Sequence, residues 1–197
     1  MTQIDTTNTT NTTNNKWTDI MVDLETTGTD SRSAAIIQLS AVMFNLETGE
    51  IGPQFDECLA LPQILPRMWD HKTKQWWLAD SKRKNVLNGI LARMRDPYDV
   101  IVDFLKWNGD NGAPKHFWSK PSHFDYNLLD SYFRDYHFNN PFIYWKARDM
   151  RSYLLGLYFP DPLPDLRLQS DDAHNALADT LFQVKELIRL TKEKKNG

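Results

Sequence analysis

Apolar residues follow two rhythms along this chain. Between residues 17 and 61 they form short, nearly continuous runs: Ile20-Met21-Val22 with Leu24, then Ile36–Phe44 (IIQLSAVMF), then Phe55–Leu61. Runs of that length, bounded by polar residues, predict apolar strands. Asn45-Leu46-Glu47-Thr48-Gly49-Glu50 supplies a turn, so the second and third strands are expected to pair as a hairpin. From residue 70 onward the spacing changes to three and four. Residues 70–95 read as helical, with the pair Trp76-Trp77 and many basic residues. Pro97 suits the start of a helix over Tyr98–Trp107, whose Val100, Ile101, Phe104 and Leu105 share a face. His116-Phe117-Trp118 predicts a short buried strand. Phe124–Tyr136 is a helix through Phe124, Leu128, Leu129 and Phe133. Phe142–Trp145 is a further short strand, followed by a helix over Met150–Tyr158. Pro160, Pro162 and Pro164 force a loop. The last helix runs from about Ala173 to Lys194, on a stripe of Ala176, Leu177, Leu181, Val184, Leu187 and Ile188. Three strands followed by alternating helices and strands imply an α/β layer fold, with a mixed sheet between helices.

The pattern is absent from residues 1–16 (MTQIDTTNTTNTTNNK), which are Thr/Asn-rich with almost no apolar content. Such a segment buries too little surface to offset its ordering entropy and is expected to be a disordered tail. Residues 17–197 are then a single domain, a size that supports a full core. Hydrophobic residues make up 41% of the chain and aromatic residues 12%, which is globular rather than disordered. There is no apolar run long enough to cross a bilayer and no basic-then-apolar secretory start. The single cysteine, Cys58, does not call for an oxidising compartment, so an intracellular, cytoplasmic protein is expected. The net charge of −3 excludes a basic nucleic-acid coat. It does not exclude an enzyme that grips only a strand end, where phosphate contacts are few.

Acidic residues change the picture more than composition does. Asp23 and Glu25 lie two apart at the end of the first strand, so both carboxylates point to one face. The Thr26-Thr27-Gly28 that follows is polar, with a glycine for a tight turn, and its backbone N–H groups suit a terminal sugar or phosphate. Far downstream, His174 and Asp179 are five apart, which on an ideal helix is about 140° of rotation. They share a site only if His174 sits at or before the first turn and Asp179 one turn in, with Asp171 or Asp172 as N-cap. Asp179 interrupts an apolar helix face, where an unpaired charge is costly and a cation is the natural partner. Between these ends, Asp125 begins a helix behind a buried strand, next to the apolar anchor Phe124. Asp130, Asp149, Asp171 and Asp172 are its rivals.

These residues resemble the DEDD superfamily of 3′–5′ exonucleases, in its histidine-containing (DEDDh, DnaQ-like) branch. Asp23-Leu24-Glu25 with Thr26-Thr27-Gly28 matches the first motif, Phe124-Asp125 the second, and His174 with Asp179 the third. The segment Lys72-Thr73-Lys74-Gln75-Trp76-Trp77 is similar to a Trp-Trp helix of a narrower group, the phage-type exonuclease A and related bacterial exoribonucleases. One departure lies ahead of the second motif. Members often carry Gly or Asn there, and this chain has Ser119-Lys120-Pro121-Ser122-His123. The resemblance implies a ribonuclease H-like α/β fold with a central five-stranded mixed sheet flanked by helices. It implies two Mg²⁺ or Mn²⁺ ions held by Asp23, Glu25, Asp125 and Asp179, with His174 as the base that takes a proton from water. The substrate would be the 3′ end of single-stranded RNA or DNA, and the product a nucleoside 5′-monophosphate. Many members dimerise, so a homodimer is among the implied assemblies, and a phage-encoded protein in a host cytoplasm is one implied setting.

For substrate contacts, Thr26, Thr27 and Gly28 are candidates. Trp76 and Trp77 cannot face the same way on a helix, so one is core and the other stacks a base; Trp77 is taken as the stacking candidate. Lys72, Lys74, Lys82, Arg83 and Lys84 form a candidate phosphate track. Two other readings compete. Asp23-Leu24-Glu25-Thr26-Thr27 comes close to the Asp-x-Asp-x-Thr of haloacid-dehalogenase-like phosphatases. A non-catalytic module binding nucleic-acid ends is the other, although such modules usually lack a metal ligand.

Overall fold

The computed structural model describes residues 16–63, 67–166 and 174–196. Residues 1–15 of the expected tail, and the expected caps Asp171 and Asp172, lie outside the described residues. Three long strands open the fold: β1 (Asp19–Thr26), β2 (Ile36–Phe44) and β3 (Ile51–Leu59). β2 pairs antiparallel with both β1 and β3. The turn between β2 and β3 is closed by the Asn45 side chain, which accepts from the N–H groups of Glu47 and Thr48 at 3.0 Å. Then follow α1 (His71–Leu78), α2 (Ser81–Leu91), β4 (Met94–Arg95), α3 (Pro97–Asp110), β5 (His116–Ser119) and α4 (Ser122–Asp135). The chain ends with β6 (Arg148–Asp149), α5 (Met150–Tyr158) and α6 (Ala176–Asn196).

The strands form one mixed sheet in the order β4-β3-β2-β1-β5-β6, with β5 parallel to β1. The described sheet thus has six strands, not five. The strands at its two edges are only two residues long, too short to leave a periodic signal. The expected strand at Phe142–Trp145 is instead a 3-10 turn over Tyr144–Lys146. Side chains hold its backbone: the Phe142 N–H donates to Asn140 and the Tyr126 hydroxyl donates to the Phe142 carbonyl. The sheet partner is the next segment, β6. The expected helix over 70–95 is broken at Asp80, whose extended backbone and side chain, accepting from the Arg83 N–H at 2.9 Å, start α2 afresh.

Alternation along β1 divides the core into layers. Ile20, Val22 and Leu24 pack with Val100, Ile101 and Phe104 of α3 and Leu128, Leu129 and Phe133 of α4. Met21 faces the other way, onto Trp118, α5 (Met150, Leu154) and α6 (Val184, Leu187). A third cluster, Ile37, Cys58, Trp77, Leu87 and Ile90, seats α1 and α2. The period of two places Asp23 and Glu25 on the face of Met21, beneath α6. No helix among the described residues is long and apolar enough to cross a membrane.

Candidate active site

β1 carries Asp23 and Glu25 opposite Ser40 and Gln38 of β2. Gln38 is fully buried and has two tasks. Its Nε2 donates to Asp56 at 2.7 Å, and its Oε1 accepts the Ala176 N–H at 3.2 Å. The residue beside Glu25 therefore anchors the first residue of α6. That helix is capped by Asn175, whose side chain accepts from the Ala178 N–H at 3.2 Å. His174 stands just outside the helix in the left-handed region, at φ 70°. Few non-glycine residues adopt this conformation, and histidine is among those that do. The conformation resolves the awkward spacing of five. The His174 backbone N–H turns back to donate to Asp179 Oδ2 at 2.9 Å. One turn further on, buried Gln183 donates to Asp23 Oδ1 at 2.8 Å.

The outcome is a tight group of carboxylates. Ligand oxygens of Asp23, Glu25 and Asp179 all lie within 4.8 Å of one another. Asp125 stands outside that set but in its field: its charge bears on Glu25, and that of Asp23 bears on it. Asp149 of β6 fixes its place by accepting from the Ser122 N–H, the first of α4, at 2.9 Å. Among the rivals, Asp149 also caps α5 through the Ser152 N–H at 2.7 Å, and Asp130 is held by Asn140 and Arg134.

Crowding makes these acids hard to ionise: Asp125 is buried, and Asp23, Glu25 and Asp179 are half-buried. Burial, then the Asp179 charge, pushes Asp23 up to about 7, against the lowering effects of Gln183 and Lys120. Burial and the neighbouring acids raise Glu25 well above the usual carboxylate range. Burial and Asp23 do the same to Asp125, while the Ser119 hydroxyl acts against them. Burial also raises Asp179, which its contacts with His174 partly offset. Carboxylates that repel one another in low dielectric await a cation.

Two candidates for substrate contact change role. Thr27 is fully buried, and its polar groups are engaged. Its N–H donates to the Ala35 carbonyl and its carbonyl accepts from the Asp70 N–H. Its hydroxyl donates to the Met68 carbonyl and accepts from the Ala35 N–H. Thr27 welds the end of β1 to the segment leading into α1, and offers nothing to a ligand. Trp77 is 1% exposed and donates to the Thr26 carbonyl at 3.3 Å, so it is the core member of its pair. Trp76, at 39%, is the accessible one. It packs edge-on against His174, with ring centres 4.7 Å apart. A groove of about 710 Å³ runs past it, lined by Glu25, Thr26, Gly28, Asp70, Lys72 and Trp76 among others. Gly28 is favoured by closeness rather than by a turn, since a Cβ there would lie 3.3 Å from that of Asp70, a tight contact.

A family model, the 3′-5′ exoribonuclease Rv2179c-like domain, matches residues 18–190, from the start of β1 to the middle of α6. The chain belongs to the 3′-5′ exoribonuclease Rv2179c-like domain family. Membership makes it a 3′-5′ exonuclease domain, a nuclease among the hydrolases. No curated protein matches the sequence significantly. Solved structures similar in fold include E. coli exonuclease I in complex with a dA16 oligonucleotide (TM-score 0.66, 13% identity, covering 90% of this chain and 41% of that one). Another is the exonuclease I of Methylocaldum szegediense (0.63, 16%, 90% and 41%). A third is cell-death related nuclease 4 (0.58, 14%, 90% and 65%). The chain spans less than half the length of these exonuclease I chains. In this Rv2179c-like domain two neighbours of the acids escaped the sequence reading. Gln183 had a signal, four residues after Asp179 and so on the same helix face. Lys120 sits in the lead-in that departs from the superfamily pattern.

Proposed function

We propose that this domain shortens single-stranded RNA from the 3′ end, one nucleoside 5′-monophosphate at a time, using divalent cations held by Asp23, Glu25, Asp179 and Asp125. The observation that carries this is the convergence of three carboxylates from opposite ends of the chain to within 4.8 Å. The donor set fits the cations: all are hard carboxylate oxygens, the chemistry that Mg²⁺ and Mn²⁺ prefer. Their raised proton affinity marks negative charge that the protein leaves uncompensated.

When bound, such ions supply Lewis-acid charge to the phosphodiester and make water a better nucleophile. The residues do the remainder. His174, exposed at the lip of the cluster and oriented by Trp76, accepts the proton of the attacking water. Trp76 offers its accessible surface to the terminal base, and Lys72 in the same groove meets the phosphate chain. RNA is favoured by the family's own description. The complexes of exonuclease I with dA16 and other oligonucleotides support a single strand in this cleft. An intracellular setting accords with a lone cysteine that is buried. The phosphatase reading needs Asp23 as a free nucleophile, whereas here it is half-buried, bonded to Gln183 and crowded by acids.

The test is digestion of matched 5′-labelled RNA and DNA oligomers with Mg²⁺ or Mn²⁺. The expected result is a ladder shortening from the 3′ end, faster on RNA, with 5′-monophosphates released. His174→Ala should slow turnover by about 10²–10⁴-fold. No shortening of either polymer would leave the non-catalytic binding module as the better reading.

A further inference from the structure

Tyr144 and Trp145, in the 3-10 turn ahead of β6, have no part in the groove beside the acids. They are 71% and 68% exposed, and their ring centres lie 4.8 Å apart, edge to face. Neither ring belongs to a core cluster. Cations flank them. Lys146 follows directly, and the extended backbone at Ala147 brings Arg148 to the same side. β5 pairs with β6 through Trp118 and Arg148, which sets His116, with Lys115 before it, across from Lys146. The acid among them is buried Asp19. Its carboxylate lies 3.3 Å from His116 Nδ1 and 3.6 Å from Arg148, and already accepts from the Trp118 indole at 2.7 Å. Among the described residues no carboxylate pairs with Lys146 or Lys115. In a chain of net charge −3 this is a local excess of positive charge.

The patch stands within reach of the acids. Asp19 is in register with His116 and lies four residues before Asp23, about 13 Å along β1. β6 lies two strand spacings from β1, about 10 Å to the side. Arg148 lies over the Trp118 ring, which packs with Met21, so it stands on the sheet face that carries Asp23. A strand leaving the acids spans that interval in a few nucleotides. We propose that this patch is a second binding surface for single-stranded RNA, in which Tyr144 and Trp145 stack bases of the strand's body and Lys146 meets its phosphates. This rests on the reading of the domain as an RNA exonuclease. Exposed aromatic faces beside cations are what single strands bind, because every base has a face to stack and every linkage a charge. Ile143 beside the pair is exposed as well, so a second copy of the chain is the rival occupant. The cations favour the nucleic acid.

The experiment compares the native full chain with the double variant Tyr144→Ala, Trp145→Ala and with Lys146→Gln. Thermal melts should coincide, because the two rings lie outside the core. With metal chelated, fluorescence anisotropy should show the double variant binding a labelled RNA of about 20 nucleotides about 10–100-fold more weakly than the native protein. Lys146→Gln should make the log–log salt slope for that RNA shallower by about 0.7. With Mn²⁺ present, the double variant should show a raised KM on the long RNA with kcat kept, and should digest a trinucleotide at the native rate. Equal binding of the long RNA by native and variant proteins, or an equal loss on both lengths, overturns the inference. So does a native dimer that the double variant dissolves with RNA binding unchanged, which would make the turn an interface between copies. Long RNA held through the patch but never shortened would instead refute the exonuclease reading and leave the surface standing, so the two failures are distinct.

Discussion

Asp23 shows most clearly how one side chain sets the behaviour of the site. Its proton affinity, raised to about 7 by burial and by Asp179, exceeds that of an unfolded aspartate near 3.8. The folded state therefore binds a proton that the unfolded chain releases. With metal chelated, the contribution of this group to stability should be greatest below about pH 4, fall as pH rises towards 7, and level off above that. Added Mn²⁺ should cancel the fall, because cations replace the protons. Asp23→Asn and Asp179→Asn should raise the chelated midpoint, by roughly 2–4 °C for each kcal/mol of repulsion removed, while abolishing turnover. Melts in chelator across this pH range check both. The two tryptophans should separate in the same spirit. Trp77→Ala should cost about 3–5 kcal/mol in urea unfolding. Trp76→Ala should leave stability nearly unchanged and raise KM by the worth of one stacked base, about 1–3 kcal/mol. The acids could be read from the sequence because a two-residue spacing on a strand has one geometric outcome. The choice between Trp76 and Trp77 could not, because it depends on where α1 meets the sheet.

The site is assembled by the ends of elements more than by their middles. Gln38 of β2 holds the Ala176 N–H that begins α6, and Gln183 ties that helix back to Asp23 of β1. Gln38→Leu leaves the Asp56 carboxylate short of one donor and the Ala176 N–H unpaired, at about 1–3 kcal/mol for each buried group. It should also weaken Mn²⁺ binding, since the helix that carries Asp179 loses its anchor. Urea unfolding and calorimetry on the one variant check both effects. Long elements were legible: β2 and α5 fall where their apolar patterns put them, and α3 begins at Pro97 as expected. Short ones were not, because β4 and β6 have two residues each and no period. The break at Asp80 depends on one cap within a stretch of helix formers, and the first turn of α6 on the Asn175 side chain.

Across the whole molecule, charge and fold place limits on how this Rv2179c-like domain meets its substrate. The net charge is −3. The basic residues beside the groove are partly committed, with Arg83 paired to Asp80 and lying over Trp76. A strand end gripped by few phosphates should lose affinity only gently with salt, with a log–log slope of about −1 to −2 for a single strand. Fluorescence anisotropy of labelled RNA with Asp179→Asn, over a range of salt, reads that slope. The mixed sheet between helices was foreseeable from the order of strand and helix patterns; its six-strand width was not. The account as a whole stands on acids from β1, α4 and α6 acting together on divalent cations. The most direct measurement is release of a 3′-terminal label from single-stranded RNA, by native protein and by Asp179→Asn, before and after Mn²⁺ is added to chelated samples. The account predicts rapid release by the native protein only after Mn²⁺ is added, and none by the variant in either condition. Release without metal, or equal release by Asp179→Asn, would contradict it.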